Sequence, residues 1–363
     1  MSTVRLDTFD LLDQQILAAL QIDARAPFRH VADVLGTSDQ TVARRCGRMR
    51  ASGRVRIVGL THPERLGEVS WFVRARTTPD AAVPIAEALA RRPDTSWVSI
   101  TSGGTEVVCS TRARDLQETD ALLLTKLPRT QRIVDVSAQQ LLHVFYGYAA
   151  GPLLKAGLLT DEQVRLLEAG VPPVDTERPA DLDDTDRALL ALLAADGRTS
   201  VEDLAARTGT PASTVRRRVT ALRASGVLYF DIDYDRSTLG AGVPTLVWLT
   251  VSPRDIATAG RALAAQPEVA FAAATTGRTN LYASIVPSST TALYRYLTGP
   301  LAALPGVQQI ETAPVIRSFK GAAHTHGPLP RPPRPVPAPP GSSHPVLDER
   351  GSLPDPDLRK SAR

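Results

Sequence analysis

The chain repeats itself. Residues 9–67 laid over 182–240, a constant offset of 173 positions, align without a gap and give about 20 identities in roughly 59 positions. Among them are Asp10/Asp183, Asp13/Asp186, Asp23/Asp196, Arg25/Arg198, Gly36/Gly209, Thr41/Thr214, Val42/Val215, Arg44/Arg217, Arg45/Arg218, the run Arg50/Arg223 through Gly53/Gly226, and Leu66-Gly67/Leu239-Gly240. Register kept for that long rules out two unrelated arginine-rich segments. Whatever one copy folds into, the other folds into as well.

Each copy reads as three short helices and a strand. In the first, Leu12, Ile16, Leu17 and Leu20 recur at helical spacing, and Val31, Val34 and Leu35 mark a second helix. Gly36-Thr37-Ser38 breaks the chain before a third helix, with Ser38 as N-cap; in the second copy Thr210 followed by Pro211 is expected to do the same. Gly53 and Gly226 stand where a C-cap glycine ends a helix, and "RVRIVGLT" and "VLYFDIDYD" then alternate as strands do.

Behind each copy runs the order strand, helix, strand, strand, helix, strand. The first series is "VSWFVRART", a helix over 80–92, "TSWVSITS" and "EVVCST" about "GGT", a helix over 114–127, and "RIVDVSAQ". The second is "TLVWLTVS", a helix over 254–265, "VAFAAATT" and "NLYASIV" about "GRT", a helix over 289–304, and "QQIETAPVI". That order is the ferredoxin-like split βαβ unit. Residues 147–180 read as a stiff linker with one helix, opened by the capping box Thr160-Asp161-Glu162-Gln163 and closed by Gly170 before Pro172-Pro173. From Gly321 on, "GPLPRPPRPVPAPPG" cannot bury a core and is expected to be extended and disordered, its arginines Arg331, Arg334, Arg350, Arg359 and Arg363 solvated. The fold class is therefore α+β: two winged helix-turn-helix units (6–62 and 181–235) alternate with two ferredoxin-like βαββαβ domains (66–146 and 240–320).

Composition narrows the function classes. With 43% hydrophobic and 22% charged residues in 363, the chain is an ordinary globular one. Two cysteines, Cys46 and Cys109, are too few for a disulfide framework or a zinc site. The start MSTVRLDTFD carries acids where a secretory signal needs an apolar run, and no stretch of about 18 apolar residues exists to span a bilayer, so the expected location is cytoplasmic. The net charge of +4 is a weak argument for a polyanionic partner, and the placement of arginines is a better one.

On the third helix, Val42, Cys46 and Met49 fall at i, i+4 and i+7, and Val215, Val219 and Leu222 repeat the stripe. This stripe faces the core, which makes Cys46 a buried structural thiol. The other face carries small, hydrogen-bonding and guanidinium side chains, the types that base edges and phosphates accept. Gln40, Ala43, Arg44 and Ser213, Arg216, Arg217 are assigned nearest the bases, with Thr41 and Thr214 beside them; Arg45, Arg48, Arg54, Arg218 and Arg223 are assigned mainly to phosphate. The expected partner is double-stranded DNA. A solvated helix face is the competing reading.

These stretches resemble the N-terminal helix-turn-helix of the leucine-responsive regulatory protein/AsnC (Lrp/AsnC) transcription factors, and the segments behind them resemble that family's ligand-sensing and dimerisation domain. The resemblance runs from about residue 6 to 320, as though two protomers were fused head to tail. It implies a transcriptional regulator, not an enzyme, that needs no cofactor or metal. It also implies sensing domains paired through their sheets, with an effector such as an amino acid bound near the turn joining the second and third strands, around Gly-x-x-Asp. Here those turns read Gly103-Gly104-Thr105-Glu106 and Gly277-Arg278-Thr279-Asn280, so Gly103, Gly104, Glu106, Gly277, Thr279 and Asn280 are the effector candidates, without the aspartate. The same glycines suit a plain hairpin turn. Two helix-turn-helix units on one chain suggest a pseudo-dimer on an imperfect palindrome, with half-sites a turn (about 34–36 Å) or a multiple apart. Sheet pairing between chains suggests a homodimer or tetramer.

The rival class is an enzyme, since relatives of the same architecture, some also fused, decarboxylate siroheme and need a tetrapyrrole pocket with histidine and arginine. Of the six histidines, His30, His62, His143, His324, His326 and His344, none recurs between the copies, and His324-x-His326 is a weak metal pattern. No phosphate-binding loop, zinc spacing or nucleophile elbow is present.

Overall fold

The computed structural model describes residues 9–115, 117, 127, 130–175, 181–234, 242 and 244–322. Most of the helix expected over 114–127, the Leu239-Gly240 end of the repeat, and the tail with His324, His326 and His344 lie outside the described residues.

The first copy forms α1 (Leu11–Ile22), α2 (Phe28–Leu35), α3 (Asp39–Ala51) and β1 (Val55–Thr61). Its duplicate forms α6 (Asp184–Ala195), α7 (Val201–Thr208), α8 (Ala212–Ala224) and β6 (Leu228–Tyr234). Local chemistry sets both starts alike: Asp10 and Asp183 are N-caps in reciprocal capping boxes with Asp13 and Asp186. Ser38 caps α3 by accepting from the Thr41 N–H. At α8 the expected Thr210 cap does not form; Pro211 occupies the N-cap position and makes no side-chain cap. Gly53 and Gly226 follow the two C-caps at φ +70° and +69°, a conformation that only glycine adopts without strain.

β1 does not fold back into a wing hairpin inside its own copy. It pairs antiparallel with β6, with Val58 opposite Asp231. Those two residues are themselves 173 apart, so a pseudo-two-fold axis passes between them. Apolar side chains of both copies meet in one core, from Ile16, Leu17 and Leu20 to Leu189, Leu204 and Phe230.

Behind the first copy run β2 (Val69–Thr77), α4 (Ala82–Ala90), β3 (Thr95–Thr101), β4 (Glu106–Ala113) and β5 (Ile133–Tyr146). Behind the second run β7 (Thr245–Val251), α9 (Ile256–Ala265), β8 (Val269–Thr275), β9 (Leu281–Ile285), α10 (Thr290–Tyr296), β10 (Val307–Pro314) and the short β11 (Arg317–Ser318). The strands join in the order β10-β7-β9-β8-β5-β2-β4-β3-β11, every pair antiparallel. β10 and β11 are consecutive in the chain yet close opposite ends of that order. Between them the Val315 N–H donates to the Pro244 carbonyl and the Ile316 N–H to the Ile100 carbonyl, each at 2.8 Å. The last strand of each half thus crosses to the other half, and the ring of strands closes. Phe72, Val108, Leu246, Trp248, Tyr282 and Ala313 form one buried cluster with strands of both halves contributing.

The segment after β5 is more than a linker. Leu153 and Leu167, the latter on α5 (Asp161–Glu168), are buried in the core shared by the two copies. Gln163 donates to the Val34 carbonyl and Gln15 to the Leu158 carbonyl. Further on, Asp175 N–H donates to the Ala224 carbonyl, so the segment reaches from one copy to the end of α8 in the other.

Candidate nucleic-acid interface

Both third helices turn one face inward and one outward. Val42, Cys46 and Met49, and Val215, Val219 and Leu222, are buried. Burial pushes the Cys46 thiol up, in keeping with a structural role. Gln40, Ala43, Arg44, Gly47 and Arg48 are exposed on α3, and Ser213, Arg216, Arg217 and Thr220 on α8, with Thr41 and Thr214 half-buried beside them.

The doubled arginines divide their work. Arg44 and Arg217 point to solvent. Arg45 turns back to α1 and donates to Asp10 (2.6 Å) and Asp13 (2.9 Å), while Arg218 reaches Asp183 (2.7 Å) and Asp186 (2.9 Å) in the same way. The Arg45 guanidinium holds the Asp10 carboxyl below its usual range. Arg48 also reaches Asp13, at 2.6 Å, but its side chain stays 57% exposed. Arg54 is half-buried at the end of the unit.

Arg223 lies elsewhere than its assignment required. It pairs with Asp23 of the other copy at 2.9 Å and is 16% exposed; its counterpart Arg50 pairs with Asp196 at 2.5 Å. Arg25 donates to the Gly197 carbonyl (2.8 Å) and Thr199 carbonyl (3.1 Å), and Arg198 to the Ala24 carbonyl (2.6 Å) and Ala26 carbonyl (3.1 Å). Each bond has its mate 173 residues away. The identities Asp23/Asp196, Arg25/Arg198 and Arg50/Arg223 are therefore interface residues, and nothing in a single copy's pattern sets them apart from surface charges.

In both turns expected to hold an effector, the polar side chains are engaged by other residues of the protein. Glu106 is 3% exposed and accepts from Arg74 Nε (2.8 Å), Thr101 Oγ1 (3.0 Å) and Ser102 Oγ (2.9 Å). Arg74 also holds Glu311 from the other half and lies over the Trp248 ring, 3.9 Å from its centroid. Gly103 and Gly104 adopt φ +69° and +95° and face open space. In the second turn, Asn280 closes on the backbone of Val251, accepting from its N–H (2.8 Å) and donating to its carbonyl (2.7 Å). Gln139, from β5 of the first half, donates to the Thr279 hydroxyl (2.8 Å) and carbonyl (2.9 Å) and sits 3.0 Å from where a Cβ on Gly277 would be. Arg74, Gln139 and Glu311 carried no sequence signal, because each acts across halves far apart in the chain.

Among the described histidines, His30 bonds the Leu166 carbonyl, His62 lies between the rings of Tyr148 and Tyr229, and His143 meets Phe145 edge-on. No cluster of three metal-ligating side chains occurs among the described residues, and no helix there is long and apolar enough to cross a membrane. A cavity of about 200 Å³ is lined by Glu64, Glu68, Val69, Ser70, Gln140, Leu141, Leu142 and Tyr148.

Three-helix units with an arginine-bearing outer face, joined to paired βα sheets, define a helix-turn-helix protein with an appended α+β domain. The sequence model of the AsnC-type helix-turn-helix domain matches residues 9–50 and again 182–223, and that of the Lrp/AsnC ligand binding domain matches 245–323. The chain belongs to the Lrp/AsnC family, with its helix-turn-helix present twice. It is 29% identical over 148 residues to an uncharacterized HTH-type transcriptional regulator, PH0140, of Pyrococcus horikoshii, covering 93% of that protein and 40% of this chain. It is 27% identical over 146 residues to the regulatory protein AsnC of Escherichia coli, covering 96% of that protein and 38% of this chain. Among solved structures, the siroheme decarboxylase NirDL shares its fold at a TM-score of 0.59 and 14% identity, over 86% of this chain and 94% of that one.

Proposed function

We propose that the protein is a sequence-specific DNA-binding transcriptional regulator that reads DNA with α3 and α8. The observation that carries this reading is the pair of outer faces, Gln40, Ala43, Arg44 and Ser213, Arg216, Arg217, placed about one axis by elements whose family is that of HTH-type regulators. Arg44, Arg216 and Arg217 make no ion pair among the described residues and remain available to guanine edges or phosphate. Arg48 joins them at the rim, while Arg45 and Arg218 orient the reading helices. The wing expected of each unit becomes the shared β1–β6 ribbon, and the sheets behind it are two ferredoxin-like domains. An amino-acid effector, if the second turn takes one, has to displace Gln139 from Thr279.

The test is fluorescence anisotropy on duplex DNA from upstream of the protein's own gene, across a salt series. Arg44→Ala with Arg217→Ala is expected to flatten the slope of log K against log salt by roughly one to two units, at about 0.9 per lost phosphate contact. Arg45→Ala with Arg218→Ala is expected to leave that slope closer to wild type and to lower the unfolding temperature. A wild-type chain with no salt-dependent binding would sink the proposal.

A second reading, a siroheme decarboxylase-like enzyme, is favoured by the fold likeness to NirDL. Against it stand the three described histidines, each engaged with different neighbours and none with another histidine. Incubation with iron uroporphyrin separates the two readings: a shifted Soret band supports the enzyme, and an unchanged one the regulator.

A further inference from the structure

Resting on the DNA-reading assignment, we propose that one chain is the complete reader. It binds as a single copy, in one orientation only, a duplex whose two half-sites differ in sequence and stand at one spacing.

The first ground is that the surfaces which would otherwise join two copies are used up within the chain. β1 takes β6 as its partner, and the sheets of the two halves pair within the chain, β5 with β8 and β3 with β11.

The second ground is the lock between the reading helices. Arg50 stands in the last turn of α3 and is tied to Asp196, and Arg223 in the last turn of α8 is tied to Asp23. Arg25 and Arg198 bind the loops opposite through carbonyls, and one apolar core runs through both units. Each reading helix is thus held at its C-terminal end by the other unit, and the two cannot slide apart to suit a longer spacer.

The third ground is chemical inequality at positions that the axis makes equivalent. Among the exposed positions of the two faces, Gln40 stands where the other copy has Ser213, Ala43 where it has Arg216 and Gly47 where it has Thr220, while Arg44 matches Arg217. All of these side chains are exposed. One half presents a carboxamide and one unpaired guanidinium, the other a hydroxyl pair and two guanidinia. A bidentate guanidinium suits guanine O6/N7 and a carboxamide suits adenine N6/N7, so the half-sites are expected to differ in sequence and the complex to have a direction.

The experiment selects duplexes from a randomised library with the full-length chain and determines the mass of the complex by analytical ultracentrifugation. One chain per duplex is expected, with two unlike half-sites. Inserting 5 base pairs between them should weaken binding at least tenfold, and inserting a full turn should not restore it. In footprints, Arg44→Ala should lose protection over one half-site and Arg216→Ala with Arg217→Ala over the other, always on the same sides. Two chains per duplex, a perfect palindrome, or indifference to the spacer would overturn the proposal while leaving the regulator reading intact. Failure to enrich any duplex would overturn both.

Discussion

Arg44 and Arg45 are neighbours in sequence and point opposite ways. On a helix, one step of about 100° carries Arg44 to solvent and Arg45 to the carboxylates that cap α1. Asp13 is 2% exposed, so Arg45→Ala leaves its Oδ1 without the guanidinium, with Arg48 and the Asp10 N–H remaining on Oδ2, and is expected to cost about 1–2 kcal/mol in chemical denaturation, with Arg44→Ala near zero. The trio Arg74, Glu106 and Glu311, with Glu106 buried and Glu311 exposed, sets a pH dependence. The Arg74 guanidinium holds the Glu311 carboxyl below its usual range. Because the folded value is the lower one, its contribution is in place above the ordinary carboxylate range and disappears as pH falls toward the lowered value. Glu311→Gln should therefore lower the unfolding temperature at neutral pH and flatten its fall below about pH 5. A profile parallel to wild type would show that the pair contributes nothing.

At the scale of elements, the crossing of each last strand into the other half is the decisive feature. Phe145, near the end of β5, lies against Gly260 on α9 of the second half, where a Cβ would fall 2.2 Å from its ring. Gly260→Ala is expected to destabilise by about 1–3 kcal/mol through overpacking. Phe145→Leu in the same chain should recover part of that loss, and a thermal melt of the single and double variants would measure it. Helix periods, caps and turn glycines were legible in the sequence because they arise from contacts within four or five residues. The fate of β1 was not. A lone strand after a third helix reads as one arm of a hairpin, and only the partner 173 residues away turned it into half of a shared ribbon.

Across the whole molecule, the duplication brings two like halves together through contacts within one chain. The sequence reading expected sensing domains paired through their sheets, and the structure joins the sheets of the two halves within one chain, β5 to β8 and β3 to β11. It took residues 147–180 for a linker, yet Leu153 and Leu167 belong to the core that both helical units share. It grouped Arg223 with phosphate contacts, although this arginine binds Asp23 of the other copy. These departures have one cause: each concerns a contact between segments far apart in the chain, which composition and periodicity do not record.

By itself the amino-acid sequence determined the repeat, the helices and their caps, the buried stripe of each third helix and the family to which the chain belongs. Those follow from local periodicity and from the 173-residue register. Only the tertiary structure decided which arginines remain free. A guanidinium's role depends on where the nearest carboxylate sits in space, and for Arg50 and Arg223 that carboxylate comes from the other copy.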